Sequence, residues 1–409
     1  MEQEFYKNGY CGLISTFGID KFCKLLIDQT PWLKHLTSFD LSNKNYDDES
    51  DNVKISWINE FTKVLIAEVY ITHLNLADNN MDDEEIKIIA ESLRVNKYLI
   101  YLNLVDNNIK KEGAEFIAES LKINQSLEEL HLDVNHFGDE GIEFIAKSLK
   151  TNRTLKKLYL DDCNISWKGI KYIADSLPIC ELLSLNENNI GDEGAKFISE
   201  LLKTCKFLKK LYIEYNNIGE NGAKFIAEAL INSQLKELYL INNKIGENGA
   251  KFISESLKIN KHLKLLDLSC NYIGNRGLKF IVESLKINKY LKELCLLGNG
   301  INDRGIIIEL LNNKYLTHLD LACNDIKEIE IIIESLKNNK SLISFKLIYY
   351  NENNNEKLVL IEEILNSNTV NIEKIKKERV KEKAYFAILL QSNSEFLELF
   401  DTFEGYEYY

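Results

Sequence analysis

The sequence predicts an α/β solenoid, in which short parallel strands alternate with helices along a curved array. One phrase, L-x-x-L-x-L-x-x-N-x-I, recurs along most of the chain, and a clear copy runs from Leu235 to Ile245. The third leucine returns at near-constant intervals, such as the 28 residues between Leu104 and Leu132. After each copy the hydrophobic period lengthens from two residues, typical of a strand, to the three or four of a helix. Such regular copies indicate stacked repeats.

The first half of each repeat reads as a short strand. Its leucines alternate with other residues, so the leucines are expected to point inward and the intervening side chains outward. The asparagine, for example Asn216 or Asn243, stands where the chain leaves the strand. Its amide can satisfy buried backbone groups, and stacked copies can form a ladder. Cys163 replaces this asparagine once.

The second half of each repeat reads as a helix. One helical face is predicted to hold Ala223, Phe225, Ile226, Ala229 and Leu230. Helix N-caps are predicted at Asp139, Asp192 and Asp303. A glycine near each helix start, such as Gly222, is expected to let the helix approach the neighbouring turn. Because helices are wider than strands, stacking predicts a horseshoe with parallel strands on the concave face and helices on the convex face.

Phrases such as LYIEYNNIGENGAKFIAEAL, residues 211–230, resemble the ribonuclease-inhibitor-like leucine-rich repeats. The same type is found in NOD-like receptors and in the GTPase-activating protein for Ran. The resemblance covers residues 36–347 as a register. It implies a leucine-rich-repeat fold and recognition of other proteins, mostly on the concave strand face or its adjoining loops.

Three segments are expected. Residues 1–35 do not fit the repeat and are predicted to form a helical cap, with a separate recruitment module as the alternative. Residues 36–352 form the array of about twelve units. Residues 353–409 are predicted to be a C-terminal helical cap with an acidic, aromatic tail. In the alternative interpretation, Phe396–Tyr409 is a linear motif for another protein.

The composition narrows the class of partner. The 63 acidic residues outnumber the 50 basic ones, which argues against binding to nucleic acid or to anionic membranes. The eight cysteines form no C-x-x-C motif and indicate reduced thiols in the cytoplasm. No apolar run is long enough to span a bilayer. An exported effector that acts on host proteins remains an alternative.

Outward-facing residues of the central strands and of the positions just past them are the predicted partner-binding site. Tyrosine is favoured at recognition hot spots, and an acidic flank complements a basic protein surface. The alternative is that solvated strands carry such residues without any partner. The predicted residues are Tyr159, Tyr212, Tyr215, Tyr239, His131, Asp133, Asp161, Asp162, Glu187 and Glu214.

The sequence predicts no enzyme, no catalytic residue, no cofactor and no metal, because it carries no phosphate loop, H-E-x-x-H or nucleophile elbow. Two alternatives stay open. One is a small-GTPase regulator of the Ran type, which rests on the resemblance. The other is a zinc site or a reactive thiol near Asp267, Cys295 and Asp320, with His318 close by.

Overall fold

Short strands and helices alternate through the whole described chain. The structure is a computed structural model that describes residues 37–43, 51–66, 70–327, 329–347 and 359–374, together with Lys24 and Asp28. The strands of this part of the chain are β1 (Ser38–Asp40), β2 (His73–Asn75), β3 (Tyr101–Asn103), β4 (Glu129–His131), β5 (Lys157–Tyr159), β6 (Leu182–Ser184), β7 (Lys210–Tyr212), β8 (Glu237–Tyr239), β9 (Leu265–Asp267), β10 (Glu293–Cys295), β11 (His318–Asp320) and β12 (Ser344–Lys346). They form one open parallel sheet in which spatial order follows chain order.

A helix separates each pair of successive strands. The helices are α1 (Asp51–Ile66), α2 (Asp83–Leu93), α3 (Lys111–Leu121), α4 (Gly138–Leu149), α5 (Trp167–Ala174), α6 (Gly191–Thr204), α7 (Glu220–Leu230), α8 (Gly246–Leu257), α9 (Gly274–Leu285), α10 (Arg304–Leu311) and α11 (Ile329–Asn338). A further helical segment, residues 359–374, follows β12. The predicted α/β solenoid is confirmed.

The two layers determine which face is concave. Each strand pairs with the next, and each helix from α1 to α11 packs against the next. Neighbouring strands lie ~4.8 Å apart, whereas packed helices lie about 8–10 Å apart. Both layers can be continuous only if the array bends with the helices outside, so the strand face is concave.

A continuous apolar core lies between the sheet and the helices. It extends from Phe39 near the start of the array to Leu365 in the segment after β12. The middle strand leucines, such as Leu238, and the helix residues that face them, such as Ile226, are 0% exposed. Each repeat therefore covers its neighbour's core, as expected of a solenoid.

The predicted asparagine ladder is confirmed. Asn243 is 1% exposed. Its Nδ2 donates to the carbonyl of Leu240 at 3.0 Å and to that of Ile213, in the preceding repeat, at 2.9 Å. Its Oδ1 accepts from the backbone N–H groups of Asn216 and Ile218 at 3.1 and 2.9 Å. One side chain thus hydrogen-bonds two successive turns to each other.

Cys163 changes this ladder locally. Its Sγ lies 3.3 Å from the carbonyl oxygen of Leu132 and takes over part of the donor role. A thiol is only a weak acceptor compared with an amide oxygen. The backbone N–H of Phe137, at the position equivalent to Ile218, donates instead to the carbonyl of Asn135 within its own turn, at 2.9 Å. The hydrogen bonding between repeats is therefore weaker at Cys163.

A second asparagine ladder, which the sequence interpretation missed, follows the helices. Asn124 donates from Nδ2 to the carbonyl of Leu93 at 2.8 Å, and its Oδ1 accepts from the backbone N–H of Leu127 at 2.9 Å. The signal was a recurrent asparagine three residues before the first leucine of the phrase. Members with this amide bonding are Asn96, Asn124, Asn152, Asn260, Asn288, Asn313 and Asn339.

The predicted N-caps are only partly correct. Asp303 caps α10 by accepting from a backbone N–H three residues later at 3.1 Å. The other two predictions were wrong, because α4 and α6 begin one residue before the aspartate, two residues earlier than an N-cap there would require. Asp192 Oδ1 accepts instead from the backbone N–H of Gly219 at 2.6 Å, and Asp139 Oδ1 accepts from that of Ser166 at 2.8 Å. Both aspartates therefore cap the helix of the following repeat.

The helix packing confirms the glycine prediction and corrects one apolar position. A Cβ on Gly222 would lie 2.6 Å from both Asp192 Oδ1 and Ile218 Cγ2, and 3.0 Å from Ala195 Cβ. The close neighbours are thus the preceding helix and the turn just before α7. Phe225 is half-buried at the edge of α7, and Ala227 is buried in the core instead.

The predicted terminal caps lie mostly outside the described residues. In the N-terminal segment, the backbone N–H of Asp28 donates to the carbonyl of Lys24 at 2.9 Å. The apolar residues 386–390 and the tail 396–409 are not described. Within 359–374, Ile361 is buried in the core and Asn368 Nδ2 donates to the carbonyl of Leu342 at 2.8 Å. No helix in the described ranges has the length and the apolar run needed to cross a bilayer.

Candidate functional site

The outward-facing residues of the concave face form three columns that cross the strands. The strand column consists of the third residue of each strand, and the register aligns His131, Tyr159, Ser184, Tyr212 and Tyr239 in that order. The acidic column, two residues further along each repeat, contains Asp133, Asp161, Asn186 and Glu214. The loop column, one residue beyond that, contains Asp162, Glu187 and Tyr215.

This arrangement divides the predicted acidic flank. Asp133, Asp161 and Glu214 are half-buried in the acidic column. Asp162 and Glu187 belong to the loop column, where the backbone is left-handed, with φ of +48° and +53°. Tyr215 stands in the same column, at φ +54° and 48% exposed, and not beside the other tyrosines. The predicted residues therefore form two neighbouring surfaces: the strand and acidic columns make up one, and the loop column makes up the other.

The strand column carries two stacked ring pairs. The rings of His131 and Tyr159 lie 3.9 Å apart between centroids, with 9° between their planes. Those of Tyr212 and Tyr239 lie 4.3 Å apart with 7° between planes. Burial, helped by the Glu129 carboxylate, raises the pKa of Tyr159 to about 12, so its hydroxyl is neutral at physiological pH.

His131 is held between two carboxylates. Its Nε2 lies 3.0 Å from Glu129 Oε1, and its Nδ1 lies 3.7 Å from Asp133 Oδ2. Burial lowers the pKa of His131, but hydrogen bonds and charge attraction from Asp133 and Glu129 raise it more, so it lies above its ordinary value. Glu129 also accepts from Lys157 Nζ at 2.7 Å. The charges at this end of the site are therefore largely compensated within the chain.

Strand β6 lies between the two ring pairs and carries no outward-facing ring. Among the twelve described strands it alone has all three residues buried, with Leu182 8% and Ser184 2% exposed. The outward side chains of Leu182 and Ser184 are therefore covered by neighbouring side chains. Tyr159 on β5 and Tyr212 on β7 stand on either side of Ser184.

The side chains on both sides of β6 pair away from it. Tyr159 stacks on a residue of β4, and Lys157 on β5 bonds to Glu129 on β4. Tyr212 stacks on a residue of β8, and Lys210 on β7 lies 2.9 Å from Glu237 on β8. Strand β6 is therefore flanked by side chains whose partners lie on the outer strands.

A hydrogen-bonded carboxylate lies just past the end of β6. Asp161 Oδ1 accepts from Ser184 Oγ at 2.5 Å and from the backbone N–H of Asn186 at 2.8 Å. Its Oδ2 accepts from Asn186 Nδ2 at 2.9 Å. Burial raises the pKa of Asp161, and these hydrogen bonds oppose that rise. The same Asn186 accepts from the backbone N–H of Glu214 at 2.8 Å, which links β5, β6 and β7.

Glu214 is the most perturbed carboxyl of the face. Burial raises its pKa to about 7, and the negative charges of Asp267, Asp161 and Glu187 contribute. No lysine, arginine or histidine of the described chain forms an ion pair with Glu214, Asp161 or Asp267. The centre of the concave face thus holds negative charge that this part of the chain leaves uncompensated.

The region around Cys295 lacks the features of a reactive or metal-binding site. Burial, with the charges of Asp267 and Asp320, raises the pKa of Cys295 to about 12, so its thiol is protonated at neutral pH. Asp320 Oδ2 lies 3.3 Å from Lys346 Nζ. Within the described ranges, no three His, Cys, Asp or Glu side chains are grouped to hold a metal ion. This arrangement gives no support to the thiol or zinc alternative.

The sequence interpretation missed Leu182, Ser184 and Asn186. Each is small or ordinary by itself, and none suggests chemistry. The available signal was order: the strand column reads Tyr159, Ser184, Tyr212, so a small residue separates two large ones. In a parallel sheet with in-register strands, that order places the small residue between the two rings.

Comparison with known proteins agrees with this geometry. The family model for the leucine-rich repeat matches residues 69–84, 95–118, 124–146, 151–174, 181–199, 204–227, 260–282 and 312–327. Together with the twelve-stranded parallel sheet and its alternating helices, these matches support a leucine-rich-repeat protein.

Other comparisons add little. No curated protein sequence matches the chain. Among solved structures, a similar chain is actin-binding site 2 of leiomodin-1, with 28% identity over 35% of this chain and 78% of that one. Its TM-score is 0.30, and such a likeness carries no argument about function.

Proposed function

We propose that the chain is a non-catalytic interaction scaffold that binds a positively charged segment of a partner protein on its concave face, between β4 and β9. The observation that carries this proposal is the uncompensated charge of Asp161, Glu214 and Asp267 beside the stacked tyrosines. Carboxylates that lack a cation within their own chain are complementary to one from outside. Leucine-rich-repeat domains typically bind proteins, which supports the same conclusion.

The location of the charge supports a central site rather than a general acidic surface. At β4 and β5, Glu129 is paired with both Lys157 and His131. Further along, Asp320 is paired with Lys346. Between these paired regions the pKa of Glu214 is raised to about 7 by burial and by carboxylates, with no cation contributing. A bound lysine or arginine would relieve this repulsion.

The tyrosines supply contact area. Burial, the neighbouring Tyr212 and the Glu237 carboxylate raise the pKa of Tyr239, and that of Tyr159 is raised to about 12. Both rings are neutral and can pack against a partner while their hydroxyls still hydrogen-bond. Stacked rings lose little conformational freedom on binding, which favours affinity.

The proposal also covers the repeat subfamily, the location in the cell and the class of partner. The repeat intervals and the strand–helix units support the ribonuclease-inhibitor-like subfamily. The cysteine pattern of the sequence supports a cytoplasmic location. The acidic concave face supports a protein partner over a nucleic acid, because phosphate groups would be repelled.

The test is affinity purification from the native host with the full chain and two matched triple variants. In the first, Tyr159, Tyr212 and Tyr239 are changed to alanine. In the control, three exposed tyrosines outside the strand column are changed to alanine: Tyr70, Tyr172 and Tyr272. We expect quantitative mass spectrometry to show a basic partner that the first variant loses, the control keeps, and added salt weakens. Retention of every partner by the first variant would refute the concave site.

A further inference from the structure

We propose that the acidic tail of the chain, residues 392–409, docks on a column of lysines at the edge of the sheet where β8, β9 and β10 begin. The lysine column consists of Lys236, Lys264 and Lys292, each one residue before its strand. The contact lies within one chain and goes beyond the proposed function, because it uses neither the stacked tyrosines nor the acidic column.

The backbone places the three lysines in line. The backbone N–H of Lys264 donates to the carbonyl of Lys236 at 2.8 Å, and that of Lys292 donates to the carbonyl of Lys264 at 2.8 Å. Successive members therefore stand one strand spacing, ~4.8 Å, apart along the backbone. Three positive charges so arranged repel one another and attract an anionic segment.

The described part of the chain supplies no carboxylate to the lysine column. Lys236 and Lys264 are exposed, and Lys292 is half-buried. Within the described ranges, none of the three forms an ion pair with an aspartate or a glutamate. Burial and the charge of Lys264 lower the pKa of Lys292, with no carboxylate acting in the opposite direction.

The contacts that these lysines do make leave their charge in place. Lys264 Nζ lies 5.2 Å from the centroid of the Tyr290 ring, and Lys292 Nζ lies 5.7 Å from that of the Tyr315 ring. Both ammonium groups are thus held over an aromatic residue of the following repeat. Neither ring carries a negative charge, so the column still lacks a counter-ion.

The uncompensated charge is confined to three repeats. The backbone N–H of Lys236 donates to the carbonyl of Lys209 at 2.8 Å, so Lys209 belongs to the same line. Its Nζ, however, lies 2.7 Å from the Glu181 carboxylate. On the other side Thr317 takes the equivalent position, and its backbone N–H donates to the carbonyl of Lys292. The lysine column therefore has a defined beginning and end.

The acidic tail has the complementary composition. No lysine or arginine occurs in residues 384–409. Acidic residues stand there at every third position, namely Glu395, Glu398, Asp401, Glu404 and Glu407. Such a segment can supply several carboxylates in succession to a row of ammonium groups.

The described chain ends near the lysine column. Asn368 continues the second asparagine ladder, because its Nδ2 donates to the carbonyl of Asn339 at 3.1 Å. It therefore stands three repeats beyond Asn288, which precedes Lys292 by four residues. At roughly 5–10 Å per repeat, between the strand and helix spacings, this distance is about 15–30 Å.

The chain between the last described residue and the acidic tail is long enough to cover this distance. About 20 residues separate residue 374 from Glu395. They span about 30 Å as a helix and more than about 60 Å when extended. Exposed ion pairs are individually weak, but a tethered segment is present at an effective concentration in the millimolar range. A charge-based contact can therefore form within the chain.

The test is carbodiimide cross-linking of the full chain at low ionic strength, read by mass spectrometry. A carbodiimide joins a carboxylate to an amine where the two are in contact. We expect links from carboxylates of the acidic tail to Lys264, and about fivefold fewer of them in about 1 M NaCl. Mixing isotope-labelled with unlabelled chain separates links within one chain from links between two chains.

Two matched double variants keep Lys264 as the reporter. Lys236→Gln combined with Lys292→Gln removes the lysines on both sides and should lower the frequency of links to Lys264 about fivefold. The control, Lys97→Gln combined with Lys224→Gln, changes two exposed lysines outside the column and should leave that frequency unchanged. Thermal unfolding of both variants checks that they are folded.

Several results would overturn the proposal. Links from the acidic tail only to the nearby basic residues of 376–383 would show that the tail pairs within its own segment. Links to Lys264 only between two chains would make the occupant a second copy. Equal frequencies in the two double variants, or no links to Lys264, would also overturn docking on the column. None of these results bears on the concave site, which is tested by its own tyrosine variants.

Discussion

Replacement of Asn243 by alanine tests whether the asparagine ladder holds neighbouring repeats together. The wild-type amide bonds to the carbonyl of Ile213 and accepts from the N–H groups of Asn216 and Ile218. All three of these residues are 0% exposed. Alanine would leave their backbone groups without this partner in the interior, where an unmade hydrogen bond carries the full desolvation cost.

Asn243 Nδ2 also donates to the carbonyl oxygens of Leu240 and Ile241, and each of these oxygens keeps another donor in the Asn243→Ala variant. Leu240 O still accepts from Asn271 Nδ2, and Ile241 O still accepts from the backbone N–H of Tyr215. The expected loss is therefore that of three buried groups and not of five. At ~1 kcal/mol each, the lower end of the range for an unsatisfied buried group, the free energy of unfolding should fall by about 3 kcal/mol.

Urea denaturation followed by circular dichroism measures this loss. The matched control is Asn221→Ala, the same chemical change at an exposed position of α7, where we expect a difference within about 0.5 kcal/mol. The reciprocal variant Cys163→Asn should raise stability by about 1 kcal/mol, because an amide there restores the missing acceptor. A loss below about 1 kcal/mol for Asn243→Ala, equal to that of the control, would show that the ladder is not what holds the turns.

Two other predictions follow from the capping and the charge of the array. Asp192→Ala should lower the thermal stability by the equivalent of about 1 kcal/mol, because the variant loses the hydrogen bond from Gly219 N–H. Asp192→Asn should keep this hydrogen bond. Equal losses of stability in the two variants would contradict capping between repeats. The pKa of Glu214 is raised from 4.5 to about 7 on folding, so the folded chain holds its proton more tightly and wild-type stability should fall as pH rises between these values. Urea denaturation should show that Glu214→Gln stabilises by about 1 kcal/mol at pH 8, after allowance for solvent screening, and not at pH 4; an equal effect at both pH values would contradict the raised pKa.

The fold could be predicted because its determinants are local and repeated. The leucines of the phrase and asparagines such as Asn243 occupy equivalent positions in each repeat, and the structure places each where the pattern indicates. Interactions between repeats were harder to predict. Asp192 resembles an N-cap in sequence, yet its carboxylate accepts from the helix start of the next repeat, because a two-residue shift in a helix start redirects the side chain. A single sequence gives no direct measure of that shift.

The candidate site, too, could be predicted from the sequence only in part. Because the sheet is parallel and in register, the chain order of Tyr159, Ser184 and Tyr212 is also their spatial order, so the small residue between two rings follows from the sequence alone. The direction in which each ring leans does not follow from the sequence. Tyr159 could have covered β6; it stacks instead on His131, whose two carboxylate neighbours hold the imidazole in place.

That choice decides what the face can recognise. Had the rings of Tyr159 and Tyr212 met over Ser184, the concave centre would be a continuous aromatic surface suited to an apolar partner. Because each ring pairs outward, the aromatic surface is interrupted at β6, and the carboxylate of Asp161 lies beside that interruption. The chemistry of the face is therefore set by the small residue between the tyrosines and by the side chains that hold the rings apart, as well as by the tyrosines themselves.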